Sequence, residues 1–563
     1  MPDGTGPTTY TAVTFAPVQS FIRSSRKLRD LYGSSLLLSH LARALHDDVE
    51  TKLGGDAVIS PANVDATRGV PNTLLIEAAY SRADAEDALL AGWRQPLTAC
   101  RQWLEEQLPY KPPDWPCREW NASAWEAGWG PSWKACERHS WELFHGQGAT
   151  IQEAEQALRY AKQQRAWEIP NWTGESSTLS SAEAIVRPRM AEKHDPRWAD
   201  LHAQTQEALQ LLRILRDPRN LGEAFAGENE ELSLSELIKR LVTYRQLAQA
   251  AFGCPFREII PERFDPLSGF APLSGPAATT GEQRPETIVW FMADGDKVSD
   301  YLHSLRHDND EVAARRSFST SMREWAAGLY SKVPKGMGQN RATVVYAGGD
   351  DILGALHETY PGSRDLRRED LFRWLPLFHQ LWQANGHARL TVSMGLVWAD
   401  SQVPQREALQ HARDAEASAK ARGRNRFALR LLYAGGNHLE WTCPWDWFDP
   451  ILTHYRDREG RRGTNGSPPK WRHLAEDLLW LQGRHAIGDA IHLGASDQAS
   501  KAQANARAEA VAQGLLSAYF PGWQPPGPPE HGRRLDQWLL DLGRVMAGLE
   551  RWRDCPADKE AAA

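Results

Sequence analysis

The chain has 563 residues, a formal net charge of −7 and 41% apolar residues. That length supports several domains with substantial cores, and the acidic balance excludes a protein that binds nucleic acid or membranes through bulk positive charge. The polar N-terminus shows no signal peptide and no apolar run reaches bilayer-spanning length. The six scattered cysteines (Cys100, Cys117, Cys136, Cys254, Cys443, Cys555) form no CxxC pair, so a cytoplasmic protein with reduced thiols is expected.

Residues 10–15 alternate like a strand. Ala16-Pro17-Val18-Gln19-Ser20-Phe21-Ile22 then opens a long helix through Arg23, Arg26, Lys27, Leu28, Arg29 and Asp30. A second helix follows over 34–53, and strands follow at 57–60 and 71–78. The pattern suggests a ferredoxin-like unit without a carboxylate-bearing hairpin, a non-catalytic palm occupying 1–187. Arg23, Arg26, Lys27 and Arg29 either face RNA or phosphates or form a solvated helix face. Residues 95–187, rich in Trp, Pro and polar residues, read as an insertion of helices and loops within this palm. Many of the 24 tryptophans cluster between Trp93 and Trp141, for which the sequence offers no physical reason. Cys117, Cys136, His139 and His145 lie here too, at a spacing that matches no zinc finger, and no zinc is expected.

Residues 188–262 read as a helical domain, with apolar positions three and four apart over 203–215 and 232–252. Residues 263–286 are a linker rich in Pro, Gly, Ser and Thr.

A second palm is expected over 287–440. Its first strand, Thr287-Ile288-Val289-Trp290-Phe291-Met292-Ala293-Asp294, is apolar and ends in a carboxylate. Gly295 lets the backbone turn into a helix beginning near Val298. The backbone over Gly295, Asp296, Lys297, Val298 and Ser299 is placed to hold phosphate oxygens. Next comes strand, turn, strand: Thr343-Val344-Val345-Tyr346-Ala347, then Gly348-Gly349-Asp350-Asp351, then Ile352-Leu353-Gly354-Ala355. Gly348 and Gly349 supply the positive φ values expected of a two-residue hairpin. Adjacent carboxylates at its tip either form a solvated turn or are relieved by divalent cations, for which Mg²⁺ prefers hard oxygen ligands. If the two strands are sheet neighbours, Asp294 faces Asp350 and Asp351, a set able to hold two Mg²⁺ or Mn²⁺ ions for nucleotidyl transfer. A strand at 388–396, a helix over 406–421 carrying Lys420, and a strand after Gly423-Arg424-Asn425 complete a β-α-β-β-α-β palm with an added helix and strand. Lys420 either neutralises a bound triphosphate or is an exposed helix-end lysine. Residues 441–563 read as an irregular aromatic stretch to 450, a polar loop over 456–469, and helices, together a C-terminal helical domain. The fold class is therefore α+β multidomain: two ferredoxin-like, cyclase/polymerase-like palm domains plus two helical domains.

The GGDD turn, ADGDK at 293–297, the TVSMG strand and the AKARGRN helix end together resemble the palm of the CRISPR polymerase family, the large subunits of type III CRISPR effector complexes. Diguanylate cyclases are more distant relatives with GGDEF or GGEEF; here Asp351-Ile352-Leu353 replaces the acidic-Phe ending, which argues against that activity. PVQSFIRSSRKLRDLYGSSLLLSHL and GVPNTLL resemble the first palm of the large subunit of type III-B, or Cmr, complexes. The resemblance implies conversion of ATP to cyclic oligoadenylates when an assembled complex, with other Cmr subunits and a CRISPR guide RNA, binds matching target RNA. Asp294, Asp350 and Asp351 would be the catalytic, metal-holding residues, with Gly295, Asp296, Lys297, Val298, Ser299, Gly348, Gly349 and Lys420 binding nucleotide. Family members often begin with an HD nuclease domain. Here the His-Asp dipeptides His46-Asp47 and His307-Asp308 lack supporting ligands and read as solvated helix positions, so no DNase activity is expected. A catalytically silent nucleotide-binding scaffold and a stand-alone nucleotide cyclase are the alternative functions.

Overall fold

The computed structural model describes residues 8–62, 69–164, 174–192, 198–253, 287–307, 310–337, 341–357, 366–400, 402–462, 468–489 and 498–554. The expected linker at 263–286, Cys254, Cys555 and Asp308 lie outside these residues. Two compact units are present. One comprises residues 1–284, 304–327 and 345–349; the other comprises 285–303, 328–344 and 350–563. No helix among the described residues is long and apolar enough to cross a membrane.

The chain opens with β1 (Tyr10–Ala16), α1 (Gln19–Arg23), α2 (Leu28–Leu53), β2 (Val58–Ser60), β3 (Thr73–Ile76) and α3 (Arg82–Gln102). It continues with α4 (Ala122–Gly128), α5 (Gly130–His139), β4 (Glu142–Gly148), α6 (Ile151–Gln163), α7 (Trp198–Arg216), α8 (Leu234–Leu241) and α9 (Arg245–Phe252). The first sheet is antiparallel with the order β2-β3-β1-β4. Its fourth strand comes from within 95–187, the range read as helices and loops. Glu142–Gly148 contains no β-branched residue, so strand propensity was silent; pairing along the whole of β1, Tyr10 to Ala16, makes it a strand.

In the basic helix start Arg26 is exposed and Lys27 half-buried, but Arg29 does not lie on a solvated face. Arg29 is 3% exposed, donates to Thr243 Oγ1 at 3.0 Å, and lies 4.0 Å from the Tyr244 ring centre. Asp30 is also buried and takes a bidentate pair from Arg240 at 2.8 and 2.9 Å; Arg240 also donates to Glu230 at 2.8 Å. Asp30 further accepts the backbone N–H groups of Arg26 and Lys27 at 3.0 Å, which caps α2. Gly33 permits this docking, since a Cβ there would lie 1.9 Å from the Lys239 carbonyl on α8. Arg26 and Lys27 each keep a contact to Glu230 at 3.9 Å.

The tryptophan cluster is a core. Trp125, Trp129 and Trp133 recur one helical turn apart across α4 and α5, with ring centres 4.7 and 5.6 Å apart. Trp120 and Trp115 close on Trp125, and Trp141 packs on Trp93, Phe15 and Phe21 beside β1. Large rings fill a volume that few aliphatic residues are available to fill. His46, read as solvated, is 8% exposed on α2, with Asp47 and Glu50 as neighbours. Among the candidate zinc ligands, Cys117 is buried, Cys136 Sγ lies 3.3 Å from Ser140 Oγ, and a ring nitrogen of His145 lies 2.7 Å from the Tyr80 carbonyl.

The chain proceeds through β5 (Thr287–Asp296), α10 (Val298–Ser304), α11 (Glu311–Met337), β6 (Ala342–Ala347), β7 (Ile352–Leu356), α12 (Arg368–Gln383), β8 (Thr391–Asp400), α13 (Gln405–Ala421), β9 (Arg426–Leu432) and β10 (His438–Pro444). This is the expected β-α-β-β-α-β order with an added helix and strand, plus one strand more. The six-stranded sheet has the order β10-β9-β8-β5-β7-β6. β5 is central, antiparallel to both β7 and β8, while β8 and β9 are parallel. β5 is apolar because it is buried: Ile288, Val289, Trp290 and Phe291 are at most 1% exposed.

Then come α14 (Trp445–His454), α15 (Trp471–Gly483), α16 (Gln498–Tyr519) and α17 (Leu535–Asp554). The aromatic stretch read as irregular is the end of β10 and the first part of α14. Trp441, Trp445, Trp447 and Phe448 are buried there, and Trp538 of α17 donates its indole N–H to the Thr442 carbonyl at 2.7 Å.

Candidate active site

Three local devices bring the carboxylates to one end of the six-stranded sheet. The first is β5 itself: its register sets Ala293 opposite Ile352 of β7, so Asp294 reaches the strand end where Asp350 and Asp351 precede β7. The second is Gly295. A Cβ there would lie 2.9 Å from Asp350 Cβ and 2.7 Å from Val298 Cγ2, so only glycine leaves room for Asp350. The third is the turn. Four residues, 348–351, separate β6 from β7, and only Gly349 has positive φ, +123°. The expected two-residue hairpin is thus a longer turn. Gly348 is needed for space, since a Cβ there would meet the Tyr346 hydroxyl at 1.9 Å.

The three carboxylates feel one another. Burial, then the charge of Asp294, pushes Asp350 up to about 6. Burial, Asp294 and Asp350 push Asp351 up to about 7, with Glu416 adding to the effect. The cation present is Lys420. Its ammonium is hydrogen-bonded to Asp294 and reaches Glu416 Oε1 at 2.6 Å. Burial opposes that charge, yet the two carboxylates hold Lys420 up at about 12. Asp294 and Lys420 are each about 30% exposed, within reach of a ligand.

Lys420 and Glu416 stand here because α13 lies directly on β8. A Cβ at Gly395 would come within 2.1 Å of the Ala412 carbonyl oxygen and 2.3 Å of the Glu416 amide nitrogen. Ala412, Ala415 and Ala419 keep that face of the helix thin. The glycine and alanines therefore fix the height of Lys420 over the sheet.

Asp296 does different work from the nucleotide contact expected of it. It is 4% exposed and accepts Ser393 Oγ at 2.7 Å, Thr391 Oγ1 at 2.8 Å and the Asn425 backbone N–H at 2.9 Å. Arg424 and Asn425 adopt positive φ, +60° and +48°, to present that N–H. Asp296 thus ties β5 to β8 and to the loop after α13. Lys297 also has positive φ, +57°, and opens α10; Lys297 and Ser299 are exposed and Val298 is half-buried. Sequence reasoning missed Glu416, Thr391 and Asn425. For Glu416 the available signal was its position one helical turn before Lys420.

The donor set fits divalent cations. It consists of hard carboxylate oxygens whose mutual repulsion Lys420 offsets only in part, and it sits beside a backbone turn. A family model described as Cas10/Cmr2, second palm domain, matches residues 288–428, and one described as CRISPR-associated protein Cmr2, N-terminal, matches residues 10–95. Over residues 10–95 and 288–428 the chain matches domains of the Cas10/Cmr2 family. The fold is like that of a chain in the cryo-EM structure of type III-B Cmr-beta in the apo state, at 11% identity over 96% of this chain and 82% of that chain, with a TM-score of 0.55. Weaker likeness extends to Csm1-Csm4 cassettes, one in complex with one ATP and one with cA4; both show 14% identity, over 96% of this chain, with TM-scores of 0.47 and 0.44, and 70% of each of those chains is covered. No curated protein matches the chain.

Proposed function

We propose that this chain synthesises cyclic oligoadenylates from ATP, as the large subunit of a type III-B complex carrying guide RNA, when matching target RNA is bound. The observation that carries this reading is the convergence of Asp294, Asp350 and Asp351 with Lys420 at one sheet end. Two Mg²⁺ or Mn²⁺ ions held by the three aspartates would activate the 3′-hydroxyl of one ATP and neutralise charge at the α-phosphorus of the next. The 3′-oxygen forms a bond to the α-phosphorus as the bond to pyrophosphate breaks. Lys420 supplies positive charge to the triphosphate. The turn at 297–299, exposed at Lys297 and Ser299, offers N–H groups to phosphate oxygens. Asp296 keeps that turn fixed to β8.

Pyrophosphate release from ATP tests this reading. The assembled complex with target RNA should release it only with Mg²⁺ or Mn²⁺, and Lys420→Ala should slow release about tenfold or more. Release that is equally fast in excess chelator would reject the site.

A further inference from the structure

Lys420 has two carboxylate partners, and only one of them belongs to the set assigned to the metal ions. Asp294 touches the ammonium on one side and Glu416 Oε1 lies 2.6 Å away on the other. Glu416 is four residues earlier on α13, the spacing that stacks two side chains on one helix face. It is 18% exposed, more enclosed than Lys420 at 29%. Its backbone cannot drift, because its amide nitrogen would be 2.3 Å from a Cβ on Gly395, with helix and strand in direct contact.

We propose that Glu416 is a positioning residue that keeps Lys420 over the site once a divalent cation takes Asp294. The inference rests on the reading above that Asp294, Asp350 and Asp351 take such cations. A cation at Asp294 removes one partner of the ammonium and repels it. A lysine has a flexible four-carbon stem, so an ammonium with no second anchor swings toward water. Glu416 is that anchor. An ammonium has three N–H donors, and one held by Glu416 leaves others for a phosphate oxygen. Glu416 itself touches no nucleotide, since its negative charge repels a triphosphate. It acts through Lys420.

That sign difference gives the test. The affinity of the full chain for a non-hydrolysable ATP analogue with Mn²⁺ is measured by calorimetry for the wild type, Glu416→Gln, Lys420→Ala and the double variant. Glu416→Gln should weaken binding about three- to tenfold when Lys420 is present. In the Lys420→Ala background the same change should leave binding unchanged or tighten it, because only repulsion is removed. Equal weakening in both backgrounds would make Glu416 a support of the helix, and tightening in both would make it a plain negative charge; either result overturns the proposal. Mn²⁺ binding alone, followed by electron paramagnetic resonance, separates this inference from the proposed function. A wild-type chain that binds no Mn²⁺ overturns both. A sign change between backgrounds in a complex that makes no product leaves the positioning role standing and rejects the synthase.

Discussion

Asp350 and Asp351 hold their protons unusually tightly, up to about 6 and about 7, because they are buried beside Asp294. In the metal-free chain their folded-state pKa values exceed the unfolded ones. Their contribution to stability is therefore full below the ordinary carboxylate range and is lost as pH rises through about 6 to 7. Divalent cations bind the ionised forms, so the two effects oppose each other. Mn²⁺ should raise the melting temperature by several degrees at about pH 8 and by little at about pH 5. An equal rise at both values would mean that Mn²⁺ binds elsewhere. Gly295→Ala should act on the same residues by a steric route. Its Cβ would press on Asp350 Cβ, so product formation should fall about tenfold or more while the fold persists. At this scale the sequence was informative about charge and less so about partnership. Asp294, Asp350 and Asp351 could be named because carboxylates at strand ends are conspicuous. Asp296 looked equivalent, two residues on, and its engagement by Ser393, Thr391 and Asn425 depends on β8 and a distant loop.

Among the elements, α13 and α2 are set by close approach and buried charge. Gly395 carries α13, so Gly395→Val should lift the helix and with it Lys420 and Glu416. The expected cost is about 1–3 kcal/mol in urea unfolding, with a larger proportional loss of activity than of stability. The buried network of Asp30, Arg240 and Glu230 predicts a purely structural outcome. Asp30→Ala leaves Arg240 without its bidentate partner and removes the cap of α2, so stability should drop by about 3–5 kcal/mol in denaturant titration. A change below about 1 kcal/mol would show that water replaces the carboxylate there. The sequence could not have found this network. Arg29 and Asp30 lie in a charged run that resembles a solvated face, and their partners are more than two hundred residues away. The strands with both faces covered, β5 above all, were legible as apolar runs. β4 and β10 were not, because β4 contains no β-branched residue and β10 only Thr442.

For the molecule as a whole, the second palm was readable almost completely, since its glycines, carboxylates and apolar strands follow in the order the chain needs them. The first palm was readable as far as β3; its last strand was concealed by the tryptophan-rich stretch that supplies part of its core. The central claim is that Asp294, Asp350 and Asp351 form a nucleotidyl-transfer site. The most direct measurement is mass spectrometry of the products from the assembled complex with guide RNA, matching target RNA, ATP and Mg²⁺ or Mn²⁺, beside the same complex carrying Asp350→Ala/Asp351→Ala. Cyclic oligoadenylates from the wild type, reduced by about a hundredfold or more in the double variant, are predicted. No such product from a wild-type complex shown to bind its target RNA, or equal product from both complexes, would contradict the account.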